Sequence, residues 1–395
     1  MMKNSISYLF CLIIIGCSVP ASEKLPFGEG SRYPHLTKNH LGELLVSWLE
    51  PIDSTTFGLF WSEFSNGHWT EKNIIYSSKD FFVNWADFPS IFELNDSTLV
   101  THWPEMSSTG TYDYDVKLAF SMDRRHSWSD PIIPHRDGKN AEHGFVSFFR
   151  DDKKNLGLVW LDGRQMAGSH GGQGTSGNMN LYTTSFDQDL IQNNDILIDA
   201  MVCECCPTSA VQIRDVTLVA YRDRSKSELR NINIIRKANG IWQEPYPVND
   251  DGWVISGCPV NGPKLAKKDN KVAVAWYTAP QGEPRVNVAF SNNLGESFSS
   301  PMRIDSGSSE GRVDISWFNN SAVVVCWLEA QDGYSSLVFR MVSEDGILSP
   351  IQDVVTLAGG RGIGYPQMEF LGNELWFLWT DFDKKNLIMS KKVHL

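Results

Sequence analysis

Seven times along the chain a short apolar strand opens, turns through a few polar residues, and returns to an aromatic residue 14 positions after its start. Pro34 leads in this way to Trp48, Pro89 to Trp103, Val146 to Trp160 and Pro207 to Tyr221. Gly262 leads to Trp276, Val313 to Trp327 and Tyr365 to Trp379. The copies begin 51 to 61 residues apart, with no change of composition between them. A repeat of this length, holding about four short strands, is a propeller blade. The expected fold is therefore all-β: one β-propeller of seven blades, or of six if one copy is not a blade. Fourteen Trp, 21 Phe, 31 Gly and 18 Pro suit many short strands and turns. Closed all-β folds reach this length as one domain.

After Trp379 only Asn386 to Val393 remain to form a further strand. The last blade is thus expected to take a strand from the N-terminus, near Lys24 to Phe27, which closes the ring and leaves no open edge. Residues 31–395 would be the propeller and 17–30 an anchor and linker carrying the closing strand. Residues 1–16 read as a leader. Lys3 precedes the apolar run Ser7 to Ile15, which is too short to stay in a bilayer as a span. It ends Ile14-Ile15-Gly16-Cys17, which is similar to the lipobox of bacterial lipoproteins. That resemblance implies cleavage before Cys17 and acylation of its thiol; an ordinary signal peptide with an incidental cysteine is the alternative. Either way the chain is exported to the bacterial cell envelope, and its compartment permits disulfides. With the lipid anchor it would meet the membrane from the outer membrane or the periplasm.

The net charge of −12, with no basic stripe, argues against a nucleic-acid partner. It does not argue against a small anionic ligand, because a few local arginines outweigh a diffuse surface charge. The chain is expected to be a monomer and to need no cofactor.

Propeller topology sorts the residues. The start of each inner strand and the end of the second share one face. On it fall Asn84-Trp85-Ala86-Asp87, Glu142-His143, Asp162 and Arg164, Arg312 and Asp314, and Tyr365. The densest stretch is MVCECCPTSAVQIRDVTLVAYRDRSKSELR, residues 201–230. Its hairpin, Ala210–Ile213 and Val216–Tyr221, brings Cys203, Cys205 and Cys206 to the same rim as Arg222 and Arg224. Charged groups from most blades then converge on a central funnel, where propellers bind ligands. The glycine-rich segment 168–177, with His170, could be a flap over it or a plain surface loop. Each charged residue could equally be a salt bridge between blades.

Cys326 lies mid-strand and reads as a small buried apolar residue. Cys203, Cys205, Cys206 and Cys258 open neighbouring blades and can meet. One or two disulfides are expected there, and a thiolate metal site for zinc or copper(I) is the alternative.

On the opposite face, SMDRRHSW at 121–128 and SNNLGESF at 291–298 resemble the Asp box, in which Asp or Asn caps a tight turn. Ser65–Trp69 and Ala238–Trp242 look like weaker relics. Across nearly the whole mature chain the pattern is similar to exported bacterial sialidase-like propellers. The shared segments are NWADFPS at 84–90, EHGFVS at 142–147, VWLDGR at 159–164, CECCPT at 203–208, AYRDRS at 220–225 and GCPVNGP at 257–263. Members of this kind with the CxCC segment are commonly labelled exo-α-sialidases. The resemblance implies a glycoside hydrolase acting on a terminal anionic sugar. It would have an arginine clamp for a carboxylate and a tyrosine nucleophile activated by Glu in place of the usual carboxylate. On that basis Asp87 is the expected acid/base, Tyr365 the nucleophile, and Glu142 or Glu204 its partner. Arg32 (in Arg32-Tyr33-Pro34), Arg164, Arg222, Arg224 and Arg312 are the expected substrate-binding arginines. Two other readings stand beside it: a non-catalytic carbohydrate-binding or assembly lipoprotein, and a metal or thiol protein centred on the cysteines.

Overall fold

The computed structural model describes residues 24–123, 127–151, 153–166 and 177–395. Cys17, the leader, Arg124–His126 and nearly all of the glycine-rich segment with His170 lie outside the described residues. Seven antiparallel sheets follow one another along the chain. Their first strands are Arg32–Lys38, Ser90–Asn95, His143–Arg150, Ser209–Ile213, Lys264–Lys268, Ser309–Trp317 and Gln367–Leu371. Around most of the ring these first strands pack side by side, and that of blade 7 packs against that of blade 1. The protein is a seven-bladed β-propeller with its first strands on the axis.

The tryptophan of the repeat is what wedges the blades apart and together. Trp48, Trp103, Trp160, Trp276 and Trp327 are fully buried, as is Tyr221. Trp48 packs with Trp376 and Leu378 of blade 7, Trp160 with Val100 and Leu118 of blade 2, and Trp327 with Ala275 and Val288 of blade 5. Each indole N–H must still find an acceptor. Two residues further along a strand the side chain returns to the same face, and there six of the seven copies place an acid; the fifth has Thr278, and Trp276 donates to Asp251 at 2.8 Å instead. Trp48 donates to Glu50 at 3.0 Å, Trp160 to Asp162 at 2.7 Å and Trp327 to Glu329 at 2.9 Å. Substituting Glu329 by Ala should therefore cost about 1–3 kcal/mol, the price of an orphaned buried donor, read as a shift in the urea midpoint.

Polar side chains of the inner strands latch each blade to the next. Ile91 N–H donates to His35 at 3.4 Å, Phe145 N–H to Asp87 at 2.9 Å, and Leu265 N–H to Ser209 at 3.0 Å. Met368 N–H donates to Asp314 at 2.8 Å.

The closing strand expected at Lys24–Phe27 does not form. Blade 7 has three strands, Gln367–Leu371, Glu374–Asp381 and Leu387–His394. Leu25 and Phe27 instead pack on the apolar cluster shared by blades 1 and 7, with Phe27 edge-on to Trp48 at 4.9 Å. Pro26 between them has no N–H to give a ladder. Blade 7 meets blade 1 through packing and single bonds, Tyr33 N–H to Thr380 at 2.9 Å and Ile388 N–H to Ser31 at 3.0 Å.

On the outer turns, Asp123 accepts from the backbone and hydroxyl of Ser127 at 3.0 and 2.7 Å, and Asn293 accepts from Ser297 N–H at 3.2 Å. The two supposed relics are different objects. Asn66-Gly67 and Asn239-Gly240 have φ of 54° and 82°, and of 51° and 77°, which are the values of two-residue hairpin turns that favour Asn-Gly.

Candidate functional site

Three inner strands open on a non-glycine residue in the left-handed region: Tyr33, Phe145 and Arg312, with φ of 54°, 55° and 56°. Each lies at a break in register with the second strand, a bulge in which two residues face one. Such strain costs roughly 1–3 kcal/mol per residue and gathers at functional sites. All three bulges lie on the face where the sequence gathers its charged residues.

That face holds a cavity of about 390 Å³, lined by Trp85, Asp87, Tyr114, Glu142, Glu204 and Arg361 among others, with Cys205 and Cys258 at its edge. Below it a second cavity of about 280 Å³ runs along the axis past His35, Lys264, Asp314 and Tyr365. Ala86, Asp87 and Phe145 line both and form the partition between them.

At the partition, one phenol stands between two carboxyl groups. The Tyr114 hydroxyl is 2.9 Å from Asp87 Oδ2 and 3.2 Å from Glu142 Oε1. Asp87 Oδ1 accepts the Phe145 N–H at 2.9 Å. The neighbouring glycine is required here: a Cβ on Gly144 would sit 1.8 Å from Asp87 Oδ2. Tyr114 stacks on Phe82 at 4.2 Å, which fixes its ring. Asp87 is 2% exposed and Tyr114 not at all. Burial pushes the Asp87 carboxyl up to about 7, against the pull of its two hydrogen bonds. Burial, and then the charge of Asp87, pushes Glu142 up to about 8. The Tyr114 phenol is raised by burial and by the two acids. Near neutral pH the pair therefore keeps a proton and can both give and take one.

The raised carboxyls also set a pH dependence of stability. The folded state holds protons that the unfolded chain releases near pH 4, so stability is lost as pH rises from about 4 towards 8. The melting temperature should fall across that window. Asp87→Asn and Glu142→Gln should flatten the fall and melt a few degrees above the wild type at pH 8.

Asp87, Glu142 and Glu204 meet in one cleft, as the topology implies. Tyr365 lies elsewhere. It lines the axial cavity, and its hydroxyl donates to the Val260 carbonyl at 2.7 Å. Burial raises its phenol, with no carboxylate beside it to act as base. Whereas Tyr221 donates to Asp199 alone, Tyr114 is the cleft tyrosine that stands between two carboxyl groups. It opens the third strand of blade 2, and only the fold brings it beside Glu142.

The five expected arginines do not converge. Arg222 spends its guanidinium on the carbonyls of Asn261, Arg230 and Tyr277, at 2.9, 2.8 and 2.6 Å. Arg164 grips Asp162 with two bonds, at 2.7 and 2.6 Å. Arg224 and Arg230 pair with Glu204 and Glu228. Arg32 holds the Gly30 carbonyl at 3.1 Å and lies over Phe57. Arg312 binds the carbonyls of Gly360 and Gly364, both at 3.2 Å, and lies 4.7 Å over Trp85. At blade rims, backbone carbonyls without ladder partners need donors, and Arg32, Arg222 and Arg312 serve that need, while Arg164 and Arg224 are taken up by carboxylates. The cation at the cleft wall is Arg361, exposed and without an ion pair among the described residues.

Cys205 and Cys258 form a disulfide between blades 4 and 5. This removes two of the four thiolates that the metal alternative would use. Cys203 and Cys206 are free and buried, with sulfurs 3.2 Å apart. Burial alone would raise the Cys206 thiol; the Cys203 hydrogen bond and the Arg222 charge bring it down to about 7. Opening the long loop with Cys258→Ser should cost about 2–4 kcal/mol in a denaturant titration.

No family model matches the chain, and neither does any curated protein. Solved structures do. A polysaccharide lyase, the PL25 ulvan lyase bound to -[GlcA(1-4)Rha3S]-, superposes with a TM-score of 0.58 at 9% identity, over 90% of this chain and 91% of that one. The α-L-arabinofuranosidase Arb93A of Fusarium graminearum, with an iminosugar inhibitor, gives 0.50 at 12% identity over 93% of each chain. The Hadza microbial sialidase Hz136 gives 0.48 at 13% identity, over 80% of this chain and 66% of that one. At such identities the likeness is one of fold, a propeller shared with carbohydrate-active enzymes.

Proposed function

We propose that the cleft acts on a glycan, as a glycoside hydrolase of sialidase-like type that takes a terminal anionic sugar. One observation carries this reading: a single tyrosine hydroxyl shared by one buried and one half-buried carboxyl group at the wall of an open pocket. A tyrosine nucleophile that forms and then releases a covalent glycosyl intermediate suits a double displacement with retention. In the minor form of the pair that carries its proton on Asp87, the ionised Glu142 draws the proton from Tyr114, whose phenolate attacks the anomeric carbon. Asp87 protonates the departing oxygen and then activates water. A phenol as nucleophile also spares an anionic substrate the repulsion of a carboxylate. Arg361 meets the substrate's negative group, with Arg312 behind Trp85 adding to the local field.

The fold supports the reading without choosing the sugar, since its neighbours include a polysaccharide lyase and an arabinofuranosidase. The lipobox-like sequence ending at Cys17 supports, as part of the same proposal, a lipid anchor on the cell envelope. The near-complete burial of Tyr114 and Asp87 favours one other reading, a carbohydrate-binding lipoprotein without turnover. A panel of fluorogenic glycosides, sialosides and uronides among them, with acidic polysaccharides assayed for unsaturated uronate ends, separates the cases. Hydrolysis of an anionic glycoside supports the proposal. Elimination products would replace it by a lyase, and binding without products by the non-catalytic reading.

A further inference from the structure

We propose that Asp115, His135 and His143 form a binding site for a divalent transition metal of the zinc class, directly behind the wall of the cleft. The three residues come from the third strand of blade 2, the connection that follows it, and the first strand of blade 3. His143 is wholly buried and His135 nearly so. Their rings lie face to face, 3.7 Å between centroids. One carboxylate holds both: Asp137 Oδ1 is 3.1 Å from His135 Nδ1, and Asp137 Oδ2 is 3.1 Å from His143 Nε2.

This arrangement fixes the tautomers. A carboxylate accepts, so each neutral ring turns its N–H to Asp137 and its lone pair the other way. The outward nitrogens are His135 Nε2 and His143 Nδ1. Both are buried, and neither has a hydrogen-bond partner. Leaving one such group unpaired costs about 1–3 kcal/mol, and here two stand side by side. Both face the same oxygen, Asp115 Oδ1, at 3.5 and 3.9 Å. Two lone pairs and a carboxylate oxygen thus fall within 4.8 Å of one another. Nitrogen and oxygen ligands about 2.0–2.2 Å from one tetrahedral ion stand roughly 3.3–3.5 Å apart. The rings lie within 3° of parallel, so they must tilt toward each other, with Asp115 closing in from 3.5 and 3.9 Å, for all three to reach one ion. The charge also asks for a cation. Asp115, Asp137 and Asp162 crowd the two rings, and Arg164 is the guanidinium among them. A carboxylate behind each ligating histidine is the usual outer shell of such a site.

The placement gives the ion a consequence. Asp115 follows Tyr114 and His143 follows Glu142, and successive strand residues point to opposite faces. An ion holding Asp115 and His143 would therefore pin Tyr114 and Glu142 from behind, where the two backbones form a parallel bridge. The site itself is independent of the chemistry proposed for the cleft.

The test uses the purified full chain, stripped with a chelator and then loaded with Zn²⁺ or Co²⁺ and desalted. One metal per chain is expected, with a melting temperature several degrees above that of the stripped protein. The cobalt form should show nitrogen and oxygen ligation without thiolate charge transfer. His135→Asn and His143→Asn should each lose the metal. Asp137→Asn should bind 10–100-fold more weakly, and Cys203→Ser with Cys206→Ser should bind as the wild type does. If the histidine variants fail to fold, the wild-type stoichiometry and cobalt spectrum decide alone. No stoichiometric metal in the folded wild type, a thiolate spectrum, or metal retained by the histidine variants would overturn the assignment.

Discussion

Replacing Tyr114 by Phe lowers turnover of the cleft's substrate by about 10²–10⁴-fold, the usual worth of a positioned proton-transfer group or more where the phenol is the nucleophile. The ring keeps its stack on Phe82, and only the hydroxyl between Asp87 and Glu142 is removed. The melting temperature should therefore change little while kcat collapses. Asp87→Asn should lose activity to a similar degree, but with a gain in stability at pH 8, because an amide there no longer forces a charge into the partition. Activity lost while stability rises is the mark of a site held for chemistry against the interest of the fold. A purely structural triad would lose both together. The kinetics and the melting curves of the same two variants check this.

Trp327→Ala should cost about 3–5 kcal/mol, the range for emptying a buried tryptophan site. Trp327 is fully buried between blades 5 and 6, and it alone satisfies its indole N–H through Glu329. Removing it opens a void between the blades, while Glu329 keeps the bonds it accepts from Ser306. Trp327→Phe should cost less, since most of the wedge remains. Substituting Ile347, exposed on a turn of the same blade, should cost next to nothing. Urea midpoints for the three variants give the comparison directly.

The blade count was legible because the aromatic residue 14 positions after each blade's opening, with an acid two residues on in all copies but the fifth, recurs with the period of the structure. The face was legible too, since strand direction alone puts Asp87, Glu142 and Glu204 on one rim. What escaped the sequence is whatever depends on contacts between blades. Tyr114 carries no local sign of its two carboxyl partners. His135 and Asp115 stand 20 positions apart and meet only through the fold. Tyr365 and the five arginines look like site residues by type. However, a residue type does not tell a guanidinium that holds backbone carbonyls, as in Arg222, from one exposed at the cleft without an ion pair among the described residues, as in Arg361. The N-terminal strand failed for a local reason: packing of Leu25 and Phe27 on the apolar cluster of blades 1 and 7 outweighed pairing that Pro26 could not support.

The most direct test of the central claim is turnover of the glycoside panel by the wild-type chain beside Tyr114→Phe, at matched folding. Hydrolysis of an anionic glycoside by the wild type, reduced at least 100-fold in the variant, is the result predicted. Equal turnover in both, or none on any glycan by a folded wild type, would contradict it and leave the cleft as a binding surface.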